Sequence, residues 1–144
     1  MGVVNLLTKT ITTAQAGQLS STFVLQGVGI GDIMLQGKLV YGSGGTTIDA
    51  WLQTSLDTGA TWCDVANFHY TTASARLLFH LTGSTVIAAA AAATDGTLAA
   101  NTATDGIIGP LWRVKTTSVG TYAGGTTLTI DALFNGVNKA VAVV

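Results

Sequence analysis

The side chains that could do chemistry in this sequence are few. Its acids are Asp32, Asp49, Asp57, Asp64, Asp95, Asp105 and Asp131, and glutamate is absent. Glycoside hydrolysis needs two carboxyl groups in different protonation states, set across a sugar. No such pair stands out. Asp57, Asp95 and Asp105 fall in Asp-Thr-Gly or Asp-Gly turns, Asp32 ends a glycine-rich connection, and Asp49, Asp64 and Asp131 fall on expected strands, facing water. His69 and His80 lie on different expected strands and could approach one another to bind a metal with Asp64. Strand histidines are far more often hydrogen-bonded surface or core residues, so no metal is expected. Cys63 has no basic neighbour to stabilise a thiolate and reads as a small buried or half-buried side chain.

Two further patterns invite a ligand. The glycine-rich pieces G-V-G-I-G-D (27–32) and G-S-G-G (42–45) lack the Lys-Ser/Thr of a phosphate loop, and neither sits between a buried strand and a helix start. No cofactor is expected at either. Trp51, Trp62, Tyr70 and Trp112 could form an aromatic platform for a sugar, but aromatics on sandwich strands more often serve core or interface.

The elements that would position these residues are strands. Alternation and turn residues predict strands over Val3–Thr13, Ser21–Gln26, Ile33–Tyr41, Thr46–Leu56, Trp62–Tyr70, Leu77–Leu81, Leu111–Val119 and Thr126–Phe134. Ile33–Tyr41 and Thr46–Leu56 read as a hairpin across G-S-G-G. In the second of these, Ile48, Ala50, Leu52 and Leu56 share one face, and Asp49, Trp51, Gln53 and Ser55 share the other. V-Y-G-S-G-G-T-T-I-D-A-W-L (40–52) is echoed by T-Y-A-G-G-T-T-L-T-I-D-A-L-F (121–134), which convergence on the same turn chemistry explains more simply than duplication. From Thr82 to Pro110 regularity breaks, with six consecutive alanines and two T-D-G turns. Such a stretch reads as a functional excursion or a partly disordered loop, and its alanine run as a helical turn or two or an extended arm packed on a neighbour. The tail (135–144) reads as an edge strand or a contact to another subunit. The expectation is one all-β domain over residues 1–144, a jelly-roll-like antiparallel sandwich with a long Ala/Thr/Gly-rich loop.

Composition bounds the partners. Of 144 residues, 9% are charged and 48% are apolar, with a net charge of −1. That gives no electrostatic footprint for nucleic acid or an anionic membrane. The lone cysteine excludes an internal disulfide framework. The start, M-G-V-V-N-L-L-T-K, lacks the basic segment and apolar run of a signal peptide, and Leu6 stands where a myristoylation motif needs Ser or Thr. Val86–Ala93 is the longest apolar run, short of the ~20 residues that span a bilayer. A soluble chain usually depends on a surface that is about a quarter to a third charged. One that lives against copies of itself or against another protein is freed from that need.

Residues 55–62, S-L-D-T-G-A-T-W, match the Asp-box at Ser55, Asp57, Gly59, Thr61 and Trp62. This hairpin signature is best known from sialidases and related glycan-processing propellers. A propeller needs at least about four blades of roughly 40–50 residues, more than this length supplies. The box is explained as a turn: Asp57 accepts backbone N–H bonds, Gly59 takes a positive φ, Ser55 and Thr61 pair across it, and Trp62 packs on the hairpin.

Three segments carry a wider resemblance: T-I-D-A-W-L-Q-T-S-L-D-T-G-A-T-W-C-D-V-A-N-F-H-Y-T-T-A-S-A-R (47–76), T-D-G-I-I-G-P-L-W-R-V-K (104–115) and G-T-Y-A-G-G-T-T-L (120–128). With them the chain resembles small β-rich virion structural proteins of tailed bacteriophages. That resemblance implies a non-enzymatic capsid decoration or cement protein, made in the host bacterial cytoplasm and located in the virion. Its partners would be the major capsid protein or other virion proteins, and further copies of itself. No catalytic or binding residue carries over. A tail or head–tail connector component is the nearest alternative, a carbohydrate-binding module the next, and a glycoside-active enzyme the last.

Overall fold

The structure, a computed structural model, describes residues 3–26, 31–135 and 139–143. Its strands are β1 (Val4–Thr10), β2 (Gln15–Leu19), β3 (Thr22–Gln26), β4 (Asp32–Val40), β5 (Ser43–Gly44), β6 (Thr47–Ser55), β7 (Cys63–Tyr70), β8 (Ala75–Thr82), β9 (Leu111–Val119), β10 (Tyr122–Ala123), β11 (Thr127–Asn135) and β12 (Lys139–Val143). No helix occurs among the described residues. The all-β expectation holds: the strands form two large antiparallel sheets enclosing one core and a third sheet of two short strands, β5 and β10.

The first sheet runs β1-β11-β4-β8. The second runs β12-β3-β9-β6-β7, with β2 sharing the free side of β9. Period-two alternation drives both. On β4, Ile33, Leu35 and Leu39 point inward, and on β11 so do Leu128, Ile130, Ala132 and Phe134. Facing them are Ile48, Ala50 and Leu52 of β6, Phe68 and Tyr70 of β7, and Trp112 and Val114 of β9. Each large apolar side chain removed from water here contributes about 1.5–3 kcal/mol. Gly37 interrupts the inward row of β4 because Phe68 and the Tyr70 hydroxyl occupy the space a Cβ would need.

Two sequence expectations are corrected. The G-S-G-G segment does not close a hairpin, because β4 and β6 belong to different sheets. A hairpin would lay their apolar faces side by side, whereas an arch between sheets turns those faces toward each other across the core. The echoing segment after β9 is also an arch, from the second sheet back to the first. The two arches meet: β5 pairs with β10, joining Gly44 to Tyr122 and Ser43 to Ala123. Tyr41 and Tyr122, equivalent in the echo, pack edge to face with ring centroids 6.2 Å apart. Gly44 and Gly45 both adopt φ of 71°, which L side chains rarely take.

The boundaries also moved. The first strand stops at Thr10, and Gln15–Leu19, which falls in none of the expected strands, forms β2. That strand hid behind Gly17 at φ 59° and a register shift between Gln15 and Gln18. Leu56 lies past the end of β6 and is 70% exposed, not on the inward face with Leu52. In the tail, β12 pairs with β3 as an edge strand. Residues 1–2, 27–30, 136–138 and 144, which take in most of the glycine-rich connection and part of the tail, lie outside the described residues.

Candidate functional site

The five residues of the Asp-box occupy one turn between β6 and β7. Ser55 Oγ donates to Asp57 Oδ1 at 2.8 Å and accepts from the Gly59 N–H at 2.9 Å. Asp57 accepts from the Thr61 N–H at 2.8 Å and from Thr61 Oγ1 at 2.5 Å, so Ser55 and Thr61 meet through its carboxylate rather than pairing with each other across the turn as expected. Trp62 Nε1 donates to the Gly59 carbonyl, and Gly59 adopts φ of 90°. The bonds from the Thr61 side chain and backbone, then that from Ser55, pull the Asp57 carboxyl down to about 2. A carboxylate so committed is a turn-maker and a poor proton donor.

The second sheet presents a polar outer face that the sequence placed in water. It is covered. Residues 94–104 lie along β7: the Asp64 N–H bonds the Thr94 carbonyl, the Asn67 N–H the Thr102 carbonyl, and the Thr104 N–H the Val65 carbonyl. Ala66 forms a bridge with Ala103. This strap satisfies one edge of the sheet without being a strand.

Asp64 is its anchor. Expected to face water, it is instead 3% exposed. Its carboxylate accepts the N–H groups of Gly96, Thr97 and Leu98, the hydroxyl of Thr94 and the amide of Gln53, all within 3.1 Å. Trp51 Nε1 and Asn67 Nδ2 both donate to the Leu98 carbonyl. Trp51, Gln53 and Ser55 lie on the face predicted for them, yet are 7%, 0% and 1% exposed because the strap and the Asp-box turn cover them. The network reaches β9 through Gln53 and Asp95: Arg113 Nε donates to Gln53 Oε1, and Lys115 Nζ to Asp95 Oδ1, both at 2.8 Å. Gln53 Nε2 also donates to Asp95 Oδ1 at 2.7 Å, and the bonds from Lys115 first and Gln53 second hold the Asp95 carboxyl below its usual range. Asp105 closes the far end of the loop, accepting from the Thr82 N–H and from Thr85 Oγ1, each at 2.7 Å.

The histidines do not converge. His69 Nδ1 meets Asp49 Oδ1 at 2.8 Å on the second sheet, while His80 on the first lies 3.6 Å from Asp32. Asp64 belongs to the strap and to neither. Among the described residues, no group of three or more His, Cys or acidic side chains is placed to hold a metal ion. Cys63 is half-buried with its thiol pushed up by burial and then by the Asp64 charge, which keeps it protonated.

The aromatics form no platform. Trp51, Tyr70 and Trp112 are buried, and Trp112 packs against Phe134 at 5.8 Å. Trp62 alone is partly open, and the Arg113 guanidinium lies 4.2 Å over its ring. Trp62 and Arg113 flank an open groove of about 680 Å³ lined also by Val24, Gly59 and Leu111.

Sequence reasoning missed the set Gln53, Asp64, Asn67, Asp95 and Arg113. The available signal was polar residues at period two on the outer face of β6, at Asp49, Gln53 and Ser55, opposite a loop with two T-D-G turns. The chain matches no family model, and no curated protein matches it.

Proposed function

We propose that this chain is a non-enzymatic structural protein of a tailed-phage virion, decorating or cementing the shell by binding the major capsid protein lattice. One observation carries the reading. Residues 83–93 are all exposed, carry no charge and include the apolar run Val86–Ala93, with Val86 86% exposed. They are tethered at both ends, by Asp105 at Thr82 and Thr85 and by Asp64 at Thr94. An apolar arm held out from a rigid scaffold is suited to burial against another protein. The low overall charge supports the same duty, since a surface covered in the particle does not depend on charges for solubility. Each contact would be modest, and repetition across a lattice would make attachment effectively permanent.

The test is the copy number of this chain in purified particles from a source that encodes it, relative to the major shell protein. Abundance comparable to that protein supports decoration. A few copies per particle would move the chain to a tail or head–tail connector position. Complete absence would overturn the virion reading and favour glycan binding.

A further inference from the structure

Among the described residues β8 is an edge of the first sheet, paired with β4 alone. The Thr82 N–H turns away from β4 to Asp105, and the next residue, Gly83, turns back to the Gly31 carbonyl. By alternation, the backbone groups of Arg76, Leu78 and His80 point outward with those of Thr82. Among the described residues nothing bonds them. The opposite edge, β1, is guarded by a register shift at Asn5/Leu7 and by Lys9. β8 has neither guard: its register with β4 is unbroken and it holds no proline or lysine. Its inward side chains Leu77 and Phe79 are only half-buried, whereas Leu81 is covered.

We propose that β8 is the self-association surface of this protein, pairing antiparallel with β8 of a second copy about a two-fold axis at Leu78. Phase selects the register. Outward-pointing residues must face outward-pointing residues, and Thr82 is already occupied by Asp105. Only the register opposing Arg76 to the second copy's His80, and Leu78 to its own equivalent, uses every free group on both chains. It forms about six backbone hydrogen bonds, two per facing pair. It also sets Leu77 of each copy against Phe79 of the other, completing the core where this edge leaves it thin.

Charge argues for a second copy as occupant. One end of β8 is basic, with Arg76 beside Lys38 of β4, and the other is acidic on balance, with Asp32 and Asp105 flanking His80. Antiparallel self-pairing lays the basic end of each copy against the acidic end of the other. The inference stands apart from the virion reading, because it concerns the free chain.

Sedimentation velocity and native mass spectrometry on the purified chain test it, with amide hydrogen exchange. The expected result is a dimer of the 14.6 kDa chain whose Arg76, Leu78 and His80 amides are protected. Leu78→Pro removes the N–H at the axis without breaking a bond to β4, and Leu78→Lys opposes like charges there. Both should be monomers with unchanged β-sheet circular dichroism and with those amides exchanging freely. A monomeric wild type would overturn the proposal, including one whose β8 amides become protected only on shells. So would any oligomer in which these amides exchange freely, or a dimer that survives both substitutions. Copy number in particles is read separately, so failure of one proposal leaves the other intact.

Discussion

The carboxylate of Asp64 on β7 receives the amide of Gly96 at 2.8 and 2.9 Å, across a sequence separation of 32. That contact makes a loop into part of the sheet. Gly96 sits at φ of 81°, which lets Thr97 and Leu98 present their N–H groups to the same carboxylate. The cost of burying Asp64 is offset only because these donors replace its water.

Asp64→Ala should therefore destabilise the fold by about 3 kcal/mol, since several donors are left without an acceptor. Asp64→Asn should fall between, because its amide nitrogen cannot accept. Urea denaturation gives the magnitude, and hydrogen exchange at Gly96, Thr97 and Leu98 gives the place. Wild-type stability with these amides still protected would refute the anchoring role.

Asp57→Ala should lower Tm by a few degrees, because the turn loses the acceptor for Thr61. The acid limb follows from the sign of the shift. The folded carboxyl titrates at about 2, below the unfolded value of 3.8. Its contribution is present above pH 3.8 and is lost as pH falls through about 2, so the wild-type advantage over Asp57→Ala should shrink over that window. Loss of a hydrolytic activity with unchanged Tm would contradict the turn assignment.

Tyr70 and Gly37 make an asymmetric pair. The Tyr70 hydroxyl is buried against the face of Gly37 and has no hydrogen-bond partner among the described residues. Tyr70→Phe should leave stability unchanged or raise it, since it removes an unsatisfied group. Gly37→Ala should cost about 1–3 kcal/mol by overpacking against Phe68 and Tyr70. Thermal denaturation of both variants decides, and a tolerated Gly37→Ala would show that β4 can move off the core.

Val86→Asp probes the arm. The side chain is 86% exposed, so folding stability should stay within about 0.5 kcal/mol of wild type. Incorporation into particles should fall several-fold if the arm is buried against the shell. Unchanged incorporation would shift attention from the arm to the sheet faces.

Much of this was open to reading before any fold. Alternating apolar residues in Ile33–Tyr41, Leu111–Val119 and Thr126–Phe134 define strands, because a strand buries every second residue whatever its neighbour. The Asp57 turn was equally legible, since its donors and acceptors lie within eight positions. Local chemistry of this kind is decided by residues adjacent in sequence. Tertiary structure alone decided which strands pair, because the same Gly-Gly segment serves a hairpin or an arch, and only packing across the core selects the arch. It alone buried Asp64 as well. A carboxylate on the outer face of a strand reads as solvated until a distant segment brings the N–H groups that take the place of its water.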